Sequence, residues 1–389
     1  MHRVPYWRLS AAYFFYFVFV GAFSPFFSLY LQALDFSAAD IGLLLSLTQF
    51  TRVFGPGLWG AAADRMRRRI WAVRSCAAMA VVASTGLLAG GSFAWMFWVL
   101  LLFSLATSGA MPIIEASTLS QLGGASGQYG AIRMWGSIGF ILAVFGIGYA
   151  LDMVAITWLP VLVIASLVLF ALSAWWIPES PPQESPAGGA ERIGSVLRRP
   201  EVIALLAACF FMALAHGTLY TFYSLFLVEH GYSKTMVGFL WTVGVIAEII
   251  VFFLLRSLMA RFTLRAILLA SFACAMVRFV AIGWGVGSVP VLLFAQVLHG
   301  ATFGAYHAAA VARTHRLFPG RLHTRGQAIY TAVSFGAGGT LGGIASGLMW
   351  EAWGAAWTFS ASSSMAAIGL LCVLRAFPAT PAARAPVLD

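Results

Sequence analysis

Charge is what this sequence has least of. Asp, Glu, Lys and Arg make up 9% of its 389 residues, against about a quarter in soluble proteins. So little charge cannot cover a surface in water. With 61% hydrophobic residues and a mean hydropathy of +0.89, most of the chain has lipid as its solvent. Cysteine is also scarce. Cys76, Cys209, Cys274 and Cys372 all lie inside apolar runs, without metal-ligand spacing or the pattern of a disulfide framework, so no metal and no cofactor are expected. The clustered histidines of a membrane desaturase are missing, as is a hydrolase's nucleophile with its base and orienter, which sets an enzyme aside. The net charge of +10 does not indicate nucleic acid, because the arginines sit in short clusters between apolar runs rather than on one basic face. The first apolar run, 9–34, is too long for a signal-peptide core and has no clear cleavage site, so it reads as a retained membrane helix.

What is present is a series of long apolar runs. Crossing ~30 Å of hydrocarbon takes about 20 residues. Twelve runs qualify: 9–34, 40–62, 70–90, 93–121, 129–150, 157–177, 201–228, 235–257, 265–286, 289–318, 326–350 and 354–376. Lipid admits only helices or closed barrels, and no period of two runs through these segments. The expected fold is therefore an all-α membrane protein of twelve transmembrane helices. Loop charge orients it. With the N-terminus inside, the cytoplasmic loops carry Arg65, Arg67, Arg68, Arg69, Arg192, Arg198, Arg199, Arg261, Arg321 and Arg325, with Arg313 and Arg316 at the adjoining helix end. The opposite loops carry Asp35, Asp152, Glu229, Lys234 and Glu351. Both termini are thus expected in the cytoplasm, and the inner membrane is the expected location. One long polar break, IPESPPQESPAGGAERIGSVLRRP at 177–200, reads as a linker. It divides the chain into an N-terminal six-helix half (1–177), a cytoplasmic linker (178–200) and a C-terminal six-helix half (201–389).

Five charges fall within the expected spans rather than at their ends: Arg52, Glu115, Arg133, Glu248 and Arg278. Facing lipid, each would cost about 2.5–3.5 kcal/mol, so pairing or a wet cavity is expected. At 1.5 Å per residue, Arg52, Glu248, Arg278, His216 and His299 lie near mid-span. Glu115 and Arg133 lie close to the cytoplasmic ends of the fourth and fifth spans, where they can pair. If Glu248 pairs with Arg278, Arg52 is left over, and a mid-membrane guanidinium suits a carboxylate substrate. Backbone carbonyls or a wider salt-bridge network would satisfy Arg52 equally. His216, Tyr220 and Tyr223 recur at i, i+4 and i+7, and the first span supplies Tyr16, Phe23, Phe27 and Tyr30. These are aromatic surfaces on which a ring could stack, or plain core. Histidines at 299, 307, 315 and 323 lack helical metal-site spacing. His299 and His307 are embedded and able to titrate near neutral pH; His315 and His323 are expected to be solvated. The four-apart glycines of the eleventh span, such as Gly338 and Gly342, suit close helix packing.

The stretch GPGLWGAAADRMRRR at 55–69 resembles the signature loop between the second and third helices of the major facilitator superfamily. Its glycines suit close helix approach, and an aspartate at a helix end can accept hydrogen bonds from a facing helix N-terminus. The resemblance implies a gating role for Gly60, Asp64 and Arg65. Arg67, Arg68 and Arg69 read as topology determinants. RSLMARFTLR, the matching loop of the second half, has no aspartate. YGAIRMWGSIGF (129–140), CAMVRF (274–279) and VLHGAT (297–302) resemble helices of lactose-permease-like members. That implies a substrate-linked Glu115–Arg133 pair, a helix arginine at Arg278 and a functional His299. Thr302 stands where those members carry a proton-binding glutamate, which leaves Glu248, His299 and His307 as the expected proton carriers. PFFSLYL, TRVFGPGLWGAAADR, LHGATFGAYHAA and RGQAIYTAVSFGAGG together are similar to the 3-phenylpropionate/cinnamate permease branch.

These readings converge on a secondary active transporter: a proton-coupled symporter of small organic anions, in particular aromatic monocarboxylates, acting as a monomer in the bilayer by alternating access. Substrate-binding candidates are Arg52, Glu115, Arg133, Arg278, His216 and Tyr220. A sugar or nucleoside symporter and an exporter of the same superfamily remain open. The fifth span has glycines but lacks the Gly-Pro pair common in antiporters, which leans towards import.

Overall fold

The computed structural model describes residues 4–66, 69–122, 128–179 and 193–376, except for the side chain of Arg321. Arg67, Arg68 and most of the expected linker (180–192) lie outside the described residues. Those described form helices and turns, with no strand among them. Eleven helices are long and apolar enough to cross a membrane. The expected span at 40–62 is not one of them.

In chain order the helices are α1 (Tyr6–Ala33), α2 (Ala38–Phe50), α3 (Gly55–Arg65), α4 (Arg69–Ala89), α5 (Phe93–Leu122), α6 (Tyr129–Met153), α7 (Ile156–Trp175), α8 (Pro200–Glu229), α9 (Lys234–Arg261), α10 (Leu264–Gly285), α11 (Val289–Leu317), α12 (His323–Trp353) and α13 (Ala355–Arg375). The expected 40–62 span is thus two helices, α2 and α3, separated by a 3₁₀ turn at Thr51–Val53 and by Phe54. Pro56 explains the interruption. It has no N–H to give the carbonyl four residues back, and its ring clashes with that carbonyl. The residue four back is Arg52, so the break falls on the charge. Pro112 acts likewise on α5, which is interrupted at Gly109 after Ser108. The two irregular stretches pack together: the Trp59 indole donates to the Leu105 carbonyl (2.8 Å).

The chain forms two compact units. The first is Met1–Ser185 with Phe222–Phe239; the second is Pro186–Thr221 with Leu240–Asp389. In the first, α1 packs chiefly on α6 and α7, and α4 on α7, around a core that includes Leu9, Tyr13, Val73, Ile114, Ile132 and Phe170. In the second, α10 packs on α13 and α11. Gly217 and Gly342 let α8 and α12 meet backbone to backbone, since a Cβ on Gly217 would strike Gly342 itself.

Two carboxylates tie the 222–239 segment to the rest of the first unit: Glu229 accepts from Gln32 Nε2 (3.1 Å), and Asp152 does more. Asp152, at the end of α6, accepts the backbone N–H groups of Lys234 (2.8 Å) and Thr235 (2.9 Å), together with the Thr235 hydroxyl (2.6 Å). It therefore caps the α9 N-terminus from another helix, where a negative charge is favoured. Gly238 permits the approach, because a Cβ there would collide with the Val144 carbonyl oxygen. Replacing Asp152 with Ala is expected to lower stability by about 1–2 kcal/mol, the worth of a cap. Thermal unfolding in detergent checks this, and an unchanged midpoint would refute the cap.

Candidate functional site

Each unit encloses its own polar cluster. In the first, Pro112 starts an α5 segment that places Glu115 opposite Arg133 of α6, with Nε and Oε1 3.9 Å apart and both side chains half-buried. The Tyr129 hydroxyl reaches the same carboxylate at 3.5 Å. Arg133 also lies over the ring of Phe17, 4.4 Å from its centroid, and over Tyr13 at 5.8 Å. A carboxylate and two ring faces thus replace the water that the guanidinium would have outside the membrane. Arg52 sits on the α2–α3 break, exposed and without an ion-pair or hydrogen-bond partner among the described residues. Its charge acts on the Tyr16 hydroxyl, as do the charges of Glu115 and Arg133.

The second unit is built around Arg278 of α10, whose side chain is fully buried. Its Nε donates to the Ala295 carbonyl (2.9 Å), one terminal nitrogen to Thr302 Oγ1 (3.1 Å) and the other to Gln296 Oε1 (3.3 Å). These three acceptors are neutral and lie on α11. Glu248 of α9, expected opposite Arg278, has its Oε2 3.9 Å from His299 Nε2. Glu248 thus contacts His299, and Arg278 donates to acceptors on α11. The reason is spacing along α11, which sets Gln296, His299 and Thr302 three residues apart on one face. His216 of α8 donates from Nδ1 to the Met212 carbonyl (2.8 Å) and lies edge-on to Phe279, with ring centroids 5.1 Å apart. Tyr220 lies nearly parallel to Trp241 at 6.1 Å. Three buried nitrogens close to this arginine have no partner among the described residues: His216 Nε2, Gln296 Nε2 and His299 Nδ1. Buried polar atoms are usually satisfied, so this group is suited to receive a polar guest.

α11 is not a regular helix here. Gly300–Ala305 forms a π-helical segment, a feature that often marks functional sites. Along it the rings of His299, Phe303 and His307 stack in turn, at 5.4 Å and 6.1 Å. His307 Nδ1 then meets the Tyr330 hydroxyl at 3.0 Å.

Other expected residues lie apart from these clusters. Asp64 and Arg65 are exposed at the end of α3, with no ion pair or hydrogen bond among the described residues. A Cβ on Gly57 or Gly60 would meet nothing, so close approach is not what those glycines provide; Gly55, against Ser108, does. Phe23, Phe27 and Tyr30 of α1 are buried. Phe23 and Phe27 stack at 4.4 Å, and the Tyr30 hydroxyl donates to the Leu87 carbonyl (2.8 Å), so all three are core rather than ligand surface. Tyr223 is buried and belongs to the segment that packs with the first unit. His315 and His323, expected to be solvated, have ring centroids 3.5 Å apart. Gln296, Trp241 and the hydrogen-bonding role of Thr302 escaped the sequence reading, since neutral residues in an apolar run carry no charge signal. The GPG at 55–57 could have revealed the break at Arg52.

Residues 6–361 match the MFS_1 like family. A probable 3-phenylpropionic acid transporter of Escherichia coli (strain K12) is 30% identical over 359 residues, covering 88% of this chain and 90% of that protein. A maltose permease of Geobacillus stearothermophilus is 26% identical over 371 residues, covering 93% and 92%. Among solved structures, the nucleoside transporter NupG aligns with a TM-score of 0.82 at 17% identity, covering 96% of this chain and 99% of that one.

Thr302→Val keeps the side-chain shape but removes an acceptor from the buried guanidinium. A hydrogen bond to a charged group is worth about 1.5–3 kcal/mol, so the variant is expected to unfold at a lower temperature than Thr302→Ser. Equal midpoints for the two variants would show that Arg278 does not depend on this hydroxyl.

Proposed function

The chain belongs to the MFS_1 like family and is a multi-pass secondary transporter rather than an enzyme; from that premise we propose that it is a proton-coupled symporter of small organic anions, aromatic monocarboxylates in particular, working by alternating access in the inner membrane. The observation that carries this reading is Arg52. A guanidinium at mid-span, placed on a proline-induced helix break and lacking a partner among the described residues, needs water or an anion to offset its charge. A carboxylate supplies two oxygens for a bidentate contact. The name of the relative at 30% identity, a probable 3-phenylpropionic acid transporter, is consistent with that choice.

On this reading Arg52 and Arg278 engage the carboxylate, and the Glu115–Arg133 pair responds to its arrival. His216 and Tyr220 border the aromatic part. Glu248 and His299, with His307, carry the proton, since Thr302 occupies the position of the absent carboxylate. Gly60, Asp64 and Arg65 form the gating loop. α2 and α3 act together as the twelfth crossing, both termini lie in the cytoplasm, and the transport halves are 1–177 and 201–389. The protein works as a monomer. A neutral polyhydroxyl substrate is the second reading. It is favoured by the longer alignment with the maltose permease and by the Glu115–Arg133 pair, which already balances its own charge.

Thermal-shift screening of purified protein against aromatic acids, sugars and nucleosides separates the two. At a hundredfold excess over its Kd a bound ligand adds about 2.7 kcal/mol of stability, and 3-phenylpropionate is expected to do so. Arg52→Ala is expected to abolish its uptake while membrane insertion stays intact. Normal uptake by that variant would remove Arg52 from the site, and stabilisation by sugars alone would favour the second reading.

A further inference from the structure

The residues assigned to proton movement form a column rather than a point. In a regular α-helix, residues eight apart diverge by about 80°. The π-helical segment Gly300–Ala305 takes up that divergence, so that His299, Phe303 and His307 stand above one another with successive ring planes only 11° apart. The column has a proton-bearing group at each end and none in its middle.

The two ends differ chemically. His299 faces Glu248 through Nε2 at 3.9 Å, while its Nδ1 is buried with no partner among the described residues. Arg278 and His216 act on it electrostatically. His307 faces Tyr330 through Nδ1 at 3.0 Å and Phe335 at 5.9 Å between ring centroids. Tyr306 and Cys209 border the Tyr330 hydroxyl in turn. Proton transfer needs heavy atoms within about 2.6–3.2 Å, or one bridging water. His299 and His307, with the Phe303 ring between them at 5.4 and 6.1 Å between centroids, are too far apart for one bridging water, and the ring occupies the place that a short file of waters would need.

We propose that Phe303 is a gate between two proton stations, Glu248–His299 and His307–Tyr330. The proposal rests on the proton-coupled reading above and adds two residues to it. Once Glu248 and His299 close from 3.9 Å to hydrogen-bond reach, a proton leaves the Glu248 carboxyl for His299 Nε2 as the Nδ1 proton passes to an entering water, so the imidazole ends neutral. When the Phe303 ring turns aside, a short file of waters enters, its first member taking that proton and its last giving one to His307 Nε2. His307 then hands a proton from Nδ1 to the Tyr330 oxygen as Tyr330 passes its own to a water on the far side of the hydroxyl, so each group ends neutral and that water carries the proton on. Tyr330, on α12, is thus a positioning and relay residue beside the half of α11 that carries Arg313 and Arg316.

The test uses the full chain in proteoliposomes with a trapped pH-sensitive dye and an imposed proton gradient, without substrate. Wild-type protein is expected to hold the gradient. Phe303→Ala is expected to dissipate it about tenfold faster, as a proton path freed of its block would, and Phe303→Leu to lie between. Adding His307→Asn to Phe303→Ala is expected to restore tightness. A leak made by a mere packing defect would survive that second change. A Phe303→Ala variant as tight as wild type, or a leak that persists in the double variant, overturns the gate. Dye response during 3-phenylpropionate uptake by wild type decides proton coupling separately: uptake without proton movement overturns the coupled reading and the column with it, whatever the leak assay gives.

Discussion

An ionised side chain within hydrocarbon must be solvated by the protein itself, and the rest of this structure is arranged around that requirement. Five embedded charges left to lipid would cost about 12–17 kcal/mol together, comparable with the whole stability of a domain, about 5–15 kcal/mol. Three different solutions appear. Arg133 is held by a carboxylate and two ring faces. Arg278 is buried against a carbonyl, an amide and a hydroxyl. Arg52 is set on a helix break within electrostatic reach of Tyr16.

Several of the groups involved lie at or beside places where regular helix fails. Pro56 removes the hydrogen bond that Arg52 would otherwise receive at its carbonyl, and Pro112 does the same for Ser108, one turn before the α5 segment that carries Glu115. On α11 the π-helical segment runs directly after His299 and includes Thr302. Irregular backbone within a membrane is tolerated where protein or water surrounds it. On α2–α3, α5 and α11 the irregular stretch coincides with an embedded charge or with the histidine column, whereas Arg133, Glu248 and Arg278 sit on uninterrupted helices and the π-helical segment Ala332–Gly338 of α12 carries no charge.

The exchange of a carboxylate for Thr302 bears on the proposed chemistry. A carboxylate beside Arg278 would neutralise it. The hydroxyl accepts its hydrogen bond and brings no charge of its own. On the proposed reading proton binding falls to Glu248 and His299, which lie together.

Much of the architecture was legible in the sequence because it depends on local properties. Length and hydropathy marked eleven of the spans, and sparse internal charge singled out Arg52, Glu115, Arg133, Glu248 and Arg278. Spacing gave the α11 histidines and the packing role of Gly338 and Gly342, whose added Cβ atoms would meet the carbonyls of Phe210 and Leu214. The interruption at Arg52 was also written locally, in Pro56, but hydropathy averages over a proline. Tertiary structure alone decided that Glu248 meets His299, that Thr302 and Gln296 serve Arg278, and that Phe23 and Phe27 are core. Helical periodicity fixes which residues share a face of one helix. Which faces meet depends on the rotation and rise of separate helices, and these are set by the packing of the whole unit.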